Sequence, residues 1–194
     1  GTDTAGSGRV PAAFNNLIGL KPSRGLLSAT GMVPACRSLD CMTIFALDTD
    51  DANLVLSVAE GKDTQDGYSR SNPFQNQFRQ YGERTGPLKI GIISSSQLSF
   101  FGDSAYEKAY QDTLSLLVDQ AKFVEVDYSP FKETAKLLYE GPWVSERYIA
   151  TQPLIDKNPE AIFPVVRDII KPGGELKATS LFEAQYRLNA LKQV

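Results

Sequence analysis

The 194-residue sequence contains no histidine. That absence takes away the usual general base for a serine or cysteine nucleophile, so this chain supplies neither a Ser-His-Asp triad nor a Cys-His pair. The commonest zinc ligand goes with it, and no metal is expected. The two cysteines, Cys36 and Cys41 in "CRSLDC", are too few for a disulfide framework and read as reduced, buried thiols. A basic excess is also missing: 20 Lys and Arg against 23 Asp and Glu leave a net charge of -3, which argues against a nucleic-acid partner. No apolar run approaches the roughly 20 residues that span a bilayer, and the start has neither a charged nor an apolar leader region. The expectation is a cytoplasmic protein with no membrane partner.

What is present suits a globular domain. Hydrophobic residues make up 42% and charged residues 22%, enough for one core of ordinary size. Residues 1–47 are rich in Gly, Pro, Ser and short apolar clusters such as "NNLIGL" and "CMTIFAL", which predicts short buried strands and tight turns. "DTDDANLVLSVAEG" has Asp or Thr as an N-cap, apolar residues at helical spacing and Gly61 as a stop, so a helix is expected there. Residues 62–86 read as a loop.

Over residues 88–128 the pattern is strand, helix, strand: "PLKIGIISS", then a helix from near Asp103, then "KFVEVDYS". Short joins between them imply a right-handed parallel crossover and an α/β fold. Residues 130–194 are helical in "FKETAKLLYE", "GPWVSERYIATQ", "PEAIFPVVRDII" and "SLFEAQYRLNALKQV". Pro142 and Pro159 mark helix starts or kinks, and Gly173 and Gly174 separate the last pair.

The opening "GTDTAGSGR" places Ser7 between two glycines, where the backbone can turn sharply and leave N–H groups free to meet a ligand. As a phosphate loop it offers G-x-x-x-x-G before Ser7 but lacks the lysine that meets the β- and γ-phosphates. As a plain tight turn it leaves the charges of Asp3 and Arg9 unexplained. As an activated serine it has small neighbours that let a carbonyl approach consecutive backbone N–H groups.

The long stretch "GTDTAGSGRVPAAFNNLIGLKPSRG" resembles the amidase signature family, whose pattern runs G-T-D-x-G-G-S-x-R, P-[AS], then G-x-K-P-[ST]. The likeness continues through "GMVPACRSLDCMTIFA", near the family's V-P-x-x-x-S-L-D segment. It implies a mixed β-sheet flanked by helices, a mostly helical C-terminal part, and a Ser, cis-Ser, Lys triad in place of one with histidine. On this resemblance Ser7 is the nucleophile, the backbone of Thr4, Ala5, Gly6 and Ser7 is the oxyanion hole, and Asp3 with Arg9 holds the loop. Ala5 stands where many members have Gly. The family's Lys and cis-Ser precede this stretch, and Lys21, downstream in "LKP", is no substitute. The chain therefore reads as residues 1–194 of a larger amidase domain, inactive alone, and no cofactor is required.

Within the family, "VPACRSLDC" and "LLYEGPWVSERY" are similar to the members that hydrolyse allophanate, N-carboxylated urea, to ammonia and carbon dioxide. That implies a small amide substrate and urea carboxylase as functional partner, and admits a homodimer for the complete enzyme. Malonamide-type amidases and the amidase subunit of tRNA-dependent amidotransferases are the alternatives, with a non-catalytic folded fragment beside them. Tyr139 and Arg147, eight residues apart, would share nearly one face of a single helix. There an Arg fork binds a carboxylate and a Tyr hydroxyl a neighbouring carbonyl or amide. The other reading makes Tyr139 a core aromatic and pairs Arg147 on the surface with Glu146 or Glu140. Trp143 is expected to pack, Asp40 to anchor its loop, and Arg37 to be a second candidate near the site.

Overall fold

The computed structural model describes residues 1–73 and 86–194. In chain order the elements are α1 (Arg9–Phe14), β1 (Ile18–Leu20), β2 (Ile44–Ala46), α2 (Thr49–Ala59), β3 (Leu88–Ile93), α3 (Ser104–Leu117), β4 (Ala121–Val126), α4 (Ser129–Tyr139), α5 (Val144–Lys157), α6 (Pro164–Ile170) and α7 (Ala178–Leu191). Two compact units divide them. Among the described residues, one comprises 1–73 and 138–184, and the other 86–137 and 185–194.

In the first unit, Ile18–Leu20 pairs antiparallel with Ile44–Ala46, and α2 lies across this ribbon. Asp48 caps α2 by accepting the Asp51 N–H at 2.8 Å, which meets one of the donors a helix start leaves unpaired. The helix ends at Ala59, ahead of the expected stop at Gly61. Its apolar stripe buries Ala52 and Leu56 against Ile44, with Ile18, Leu20 and Leu27 around them. The six-residue α1, in a region expected to hold short strands and tight turns more than long helices, sits against β1. Gly19 permits that approach: a Cβ there would lie 2.7 Å from the Ala12 Cβ.

One expected helix is divided. "PEAIFPVVRDII" forms a 3-10 turn at Pro159–Ala161 and then α6 from Pro164. Phe163, at φ -53 and ψ 128, is held out of the helical region by the proline that follows it. Beyond α6, Lys171–Gly174 turns back onto the start of α5.

In the second unit, β3 and β4 pair in parallel from Leu88 with Ala121 to Ile93 with Val126, and α3 forms the connection. Asp103 caps α3, accepting the Tyr106 N–H at 2.9 Å where the sequence places the helix start. Both senses of strand pairing are thus present, in two separate ribbons among the described residues. Of the expected 62–86 loop, residues 62–73 are turns and coil, and residues 74–85 lie outside the described residues.

Candidate active site

The loop before α1 is organised by one carboxylate. Asp3 is 1% exposed and accepts five hydrogen bonds. Three come from the backbone N–H groups of Gly6 (2.7 Å), Gly8 (3.2 Å) and Arg9 (3.2 Å). Two come from the Arg9 guanidinium, Nε at 3.0 Å and Nη2 at 3.1 Å, a bidentate fork. Burial alone would raise the carboxyl pKa, but Arg9 and the three amides outweigh it and hold Asp3 down at about 2. Asp3 and Arg9 are thus an ion pair within the loop.

Drawing donors to Asp3 decides which groups stay free. The Gly6 N–H, expected in the oxyanion hole, is committed to Asp3, with Gly6 at φ +135 to reach it. The N–H groups of Thr4, Ala5 and Ser7 have no acceptor among the described residues, nor has the exposed Ser7 Oγ a hydrogen-bond partner there. Gly8 is buried under Thr43, and a Cβ on it would meet the Thr43 Cγ2 at 2.4 Å. Behind the loop, residues 1–3 run beside 41–43, with the Asp3 N–H on the Cys41 carbonyl at 2.8 Å and a bridge between Thr2 and Met42.

Asp40 is a second anchor. It is 6% exposed and takes the Thr4 hydroxyl at 2.5 Å and the N–H groups of Ala35 and Cys36 at 3.0 Å. The turn around Cys36 is thereby tied to the residue three before Ser7.

Tyr139 and Arg147 do not share a helix. Tyr139 ends α4, Gly141 and Pro142 break the chain, and Arg147 lies in the first turn of α5. The two side chains meet nonetheless, with the Arg147 guanidinium 5.9 Å from the Tyr139 ring centroid. Tyr139 is 59% exposed, not a core aromatic. Arg147 has no carboxylate partner among the described residues, because Glu146 turns to Ser38: its Oε2 accepts the Ser38 N–H at 2.7 Å and its Oε1 the Ser38 hydroxyl. The same helix turn is held from the other side. Ser145 Oγ donates to the Gly173 carbonyl at 2.8 Å, and the Tyr148 ring covers Gly174 so closely that a Cβ there would sit 2.6 Å from it. Trp143, half-buried, immediately precedes α5.

Both cysteines are buried free thiols. Burial, and then the neighbouring Glu146 carboxylate, push Cys36 up to about 12; burial likewise raises Cys41, which donates to the Pro22 carbonyl. Lys21 donates to the Pro22 carbonyl at 2.9 Å. A cleft of about 380 Å³ opens beside the Asp40 turn, lined in part by Arg24, Arg37, Asp40 and Tyr68. Arg24 stacks on Tyr68 at 4.8 Å, and Arg37 has no partner among the described residues. Ser7 does not line this cleft. Sequence reasoning missed the Ser38 and Glu146 pair and the packing role of Gly173 and Gly174. The adjacency of Glu146 to Arg147 was the one available signal, and it suggested the wrong partner.

A family profile described as Amidase matches residues 1–192. The chain is 41% identical over its whole length to the urea amidolyase of Lachancea kluyveri and 38% identical to that of Saccharomyces cerevisiae, spanning 10% of each. A solved structure of Kluyveromyces lactis allophanate hydrolase superposes with a TM-score of 0.89 at 42% identity, covering 100% of this chain and 31% of that one. The chain thus spans about a tenth of these two urea amidolyases and under a third of that allophanate hydrolase chain.

Proposed function

The chain belongs to the amidase family, and from that premise we propose that it carries the nucleophile and the substrate-binding arm of an allophanate-cleaving amidohydrolase. The observation that carries the reading is the loop itself. Asp3 gathers the surrounding donors and leaves Ser7 Oγ exposed beside the unpaired N–H groups of Thr4, Ala5 and Ser7. Whole-length similarity to two urea amidolyases and to an allophanate hydrolase supports the choice of substrate.

In the proposed reaction Ser7 Oγ attacks the terminal carbamoyl carbon. The three free amides stabilise the oxyanion as charge develops. The Ser7 proton passes through a second serine to a lysine and on to the leaving nitrogen, which departs as ammonia. Water then cleaves the acyl ester, and the carboxylated product yields carbon dioxide and ammonia. Lysine and second serine come from residues other than 1–194, in keeping with a chain that has no histidine and whose Lys21 is occupied at Pro22. Phe14, Val33 and Leu47, each more than 80% exposed, offer apolar surface for the remainder of such an enzyme.

Arg147 binds the substrate carboxylate in this scheme, with Tyr139 beside it on the carbonyl or amide. Allophanate is N-carboxylated urea, so a urea-carboxylating enzyme is the functional partner, and the reaction belongs in the cytoplasm. The test is ammonia release by the full-length protein from allophanate, malonamate and glutamine. Allophanate should be turned over best, and Ser7→Ala should abolish turnover while malonate still binds. Failure to cleave allophanate ends the assignment.

A further inference from the structure

We propose that Glu146 and Ser38 together are positioning residues, which aim Arg147 at the nucleophile loop and keep it free for a substrate carboxylate. This rests on the reading of Arg147 as the carboxylate clamp and adds what holds the clamp in place.

The pair closes a contact between residues 108 positions apart. Glu146 takes both donors of Ser38, the backbone N–H and the hydroxyl, so its carboxylate is held by two charge-assisted bonds. Ser38 lies within a turn that closes on itself, the N–H groups of Leu39 and Asp40 both reaching the Cys36 carbonyl at 2.8 Å. The far end of that turn is Asp40, which accepts the Thr4 hydroxyl. One short hydrogen-bonded turn thus joins the residue beside Arg147 to the residue three before Ser7.

The arrangement has a second consequence. A glutamate next in sequence to an arginine is a ready intramolecular competitor for any carboxylate that the arginine should bind. Ser38 occupies both Glu146 oxygens, and Arg147 is left with only the face of Tyr139. Ser145 on Gly173 and Tyr148 on Gly174 fix the same helix turn against rotation. Of the four consecutive residues 145–148, Arg147 is the one whose side chain has no hydrogen-bond or ion-pair partner among the described residues.

The experiment uses the full-length protein and the variants Glu146→Ala, Glu146→Gln and Ser38→Ala, each alone and combined with Arg147→Ala. KM and kcat for allophanate and the inhibition constant of malonate are measured. Glu146→Ala and Ser38→Ala should raise KM and the malonate constant about tenfold, with kcat falling less than about threefold. Glu146→Gln should stay within about threefold of the parent, because the amide can accept from the Ser38 N–H and donate to its hydroxyl. On the Arg147→Ala background, losing Glu146 should add less than about twofold, since residues acting through one another are not additive. The proposal is overturned if Glu146→Ala and Ser38→Ala both match the parent, or if either costs as much without Arg147 as with it. Ser38→Ala deletes a single oxygen and carries the test if Glu146→Ala fails to fold. An unaffected Arg147→Ala variant would instead remove the clamp, and the positioning role with it. An impaired Arg147→Ala beside silent Glu146 and Ser38 variants removes the positioning role alone.

Discussion

Replacing Asp3 by Asn tests the loop at its hub. The carboxylate accepts five N–H donors while 1% exposed, whereas an Asn side chain has one oxygen and turns an NH2 group toward donors. At least two donors lose their acceptor, and Arg9, 52% exposed, can recover hydration while the Gly8 N–H cannot. The expected loss is about 2 to 4 kcal/mol at neutral pH, below the full cost of breaking a wholly buried pair. The pH dependence adds a signature. The folded Asp3 pKa, about 2, lies below the ordinary carboxyl value of 3.8, so its stabilisation is complete above pH 5 and is lost as pH falls through 4 toward 2. The shift is worth about 2 kcal/mol, of which about half is gone at pH 3. Urea unfolding of parent and Asp3→Asn across pH 3 to 6 should therefore show a gap that narrows by about 1 kcal/mol toward the acid end. A gap of constant size over that range, or one below about 0.5 kcal/mol at pH 6, would refute the view of Asp3 as an ionised hub.

Other expectations concern single contacts. Gly8→Ala should cost at least about 3 kcal/mol and remove activity, because its Cβ would lie 2.4 Å from the Thr43 Cγ2; a thermal melt within a few degrees of the parent would contradict this. Arg147→Ala should lower kcat/KM for allophanate by about one to two orders of magnitude, and Arg147→Lys should recover little, since an ammonium lacks the planar fork; steady-state kinetics decide it. Cys36, fully buried with its thiol pushed up to about 12, should resist iodoacetamide at pH 8 until the protein is unfolded, as mass spectrometry of the labelled peptide would show. Leu56→Ala should cost about 2 to 5 kcal/mol by opening a cavity between α2 and the β1 and β2 ribbon, read as a lowered denaturation midpoint.

The residues of the candidate site divide by how far apart in the chain their partners lie. Asp3 reaches Gly6, Gly8 and Arg9, all within six positions, so the composition of one short stretch determines the loop. The caps Asp48 and Asp103 work over three residues and were legible for the same reason. Tyr139 and Arg147 were expected on nearly one face of a single helix, and they lie on two, because an eight-residue spacing says nothing of the break that Gly141 and Pro142 impose between α4 and α5.

By itself, then, the sequence determined the loop around Asp3, the buried thiols, the helices with strong caps and the family likeness, since each arises from side chains acting on nearby backbone. Tertiary structure alone decided that Asp40 takes the Thr4 hydroxyl, that Glu146 serves Ser38 and not Arg147, and that Gly173 and Gly174 lie against α5. A hydrogen-bonding side chain has many acceptable partners, and periodicity records only which face it occupies. The partner is selected when folding brings one distant group within about 3 Å and leaves the others in water.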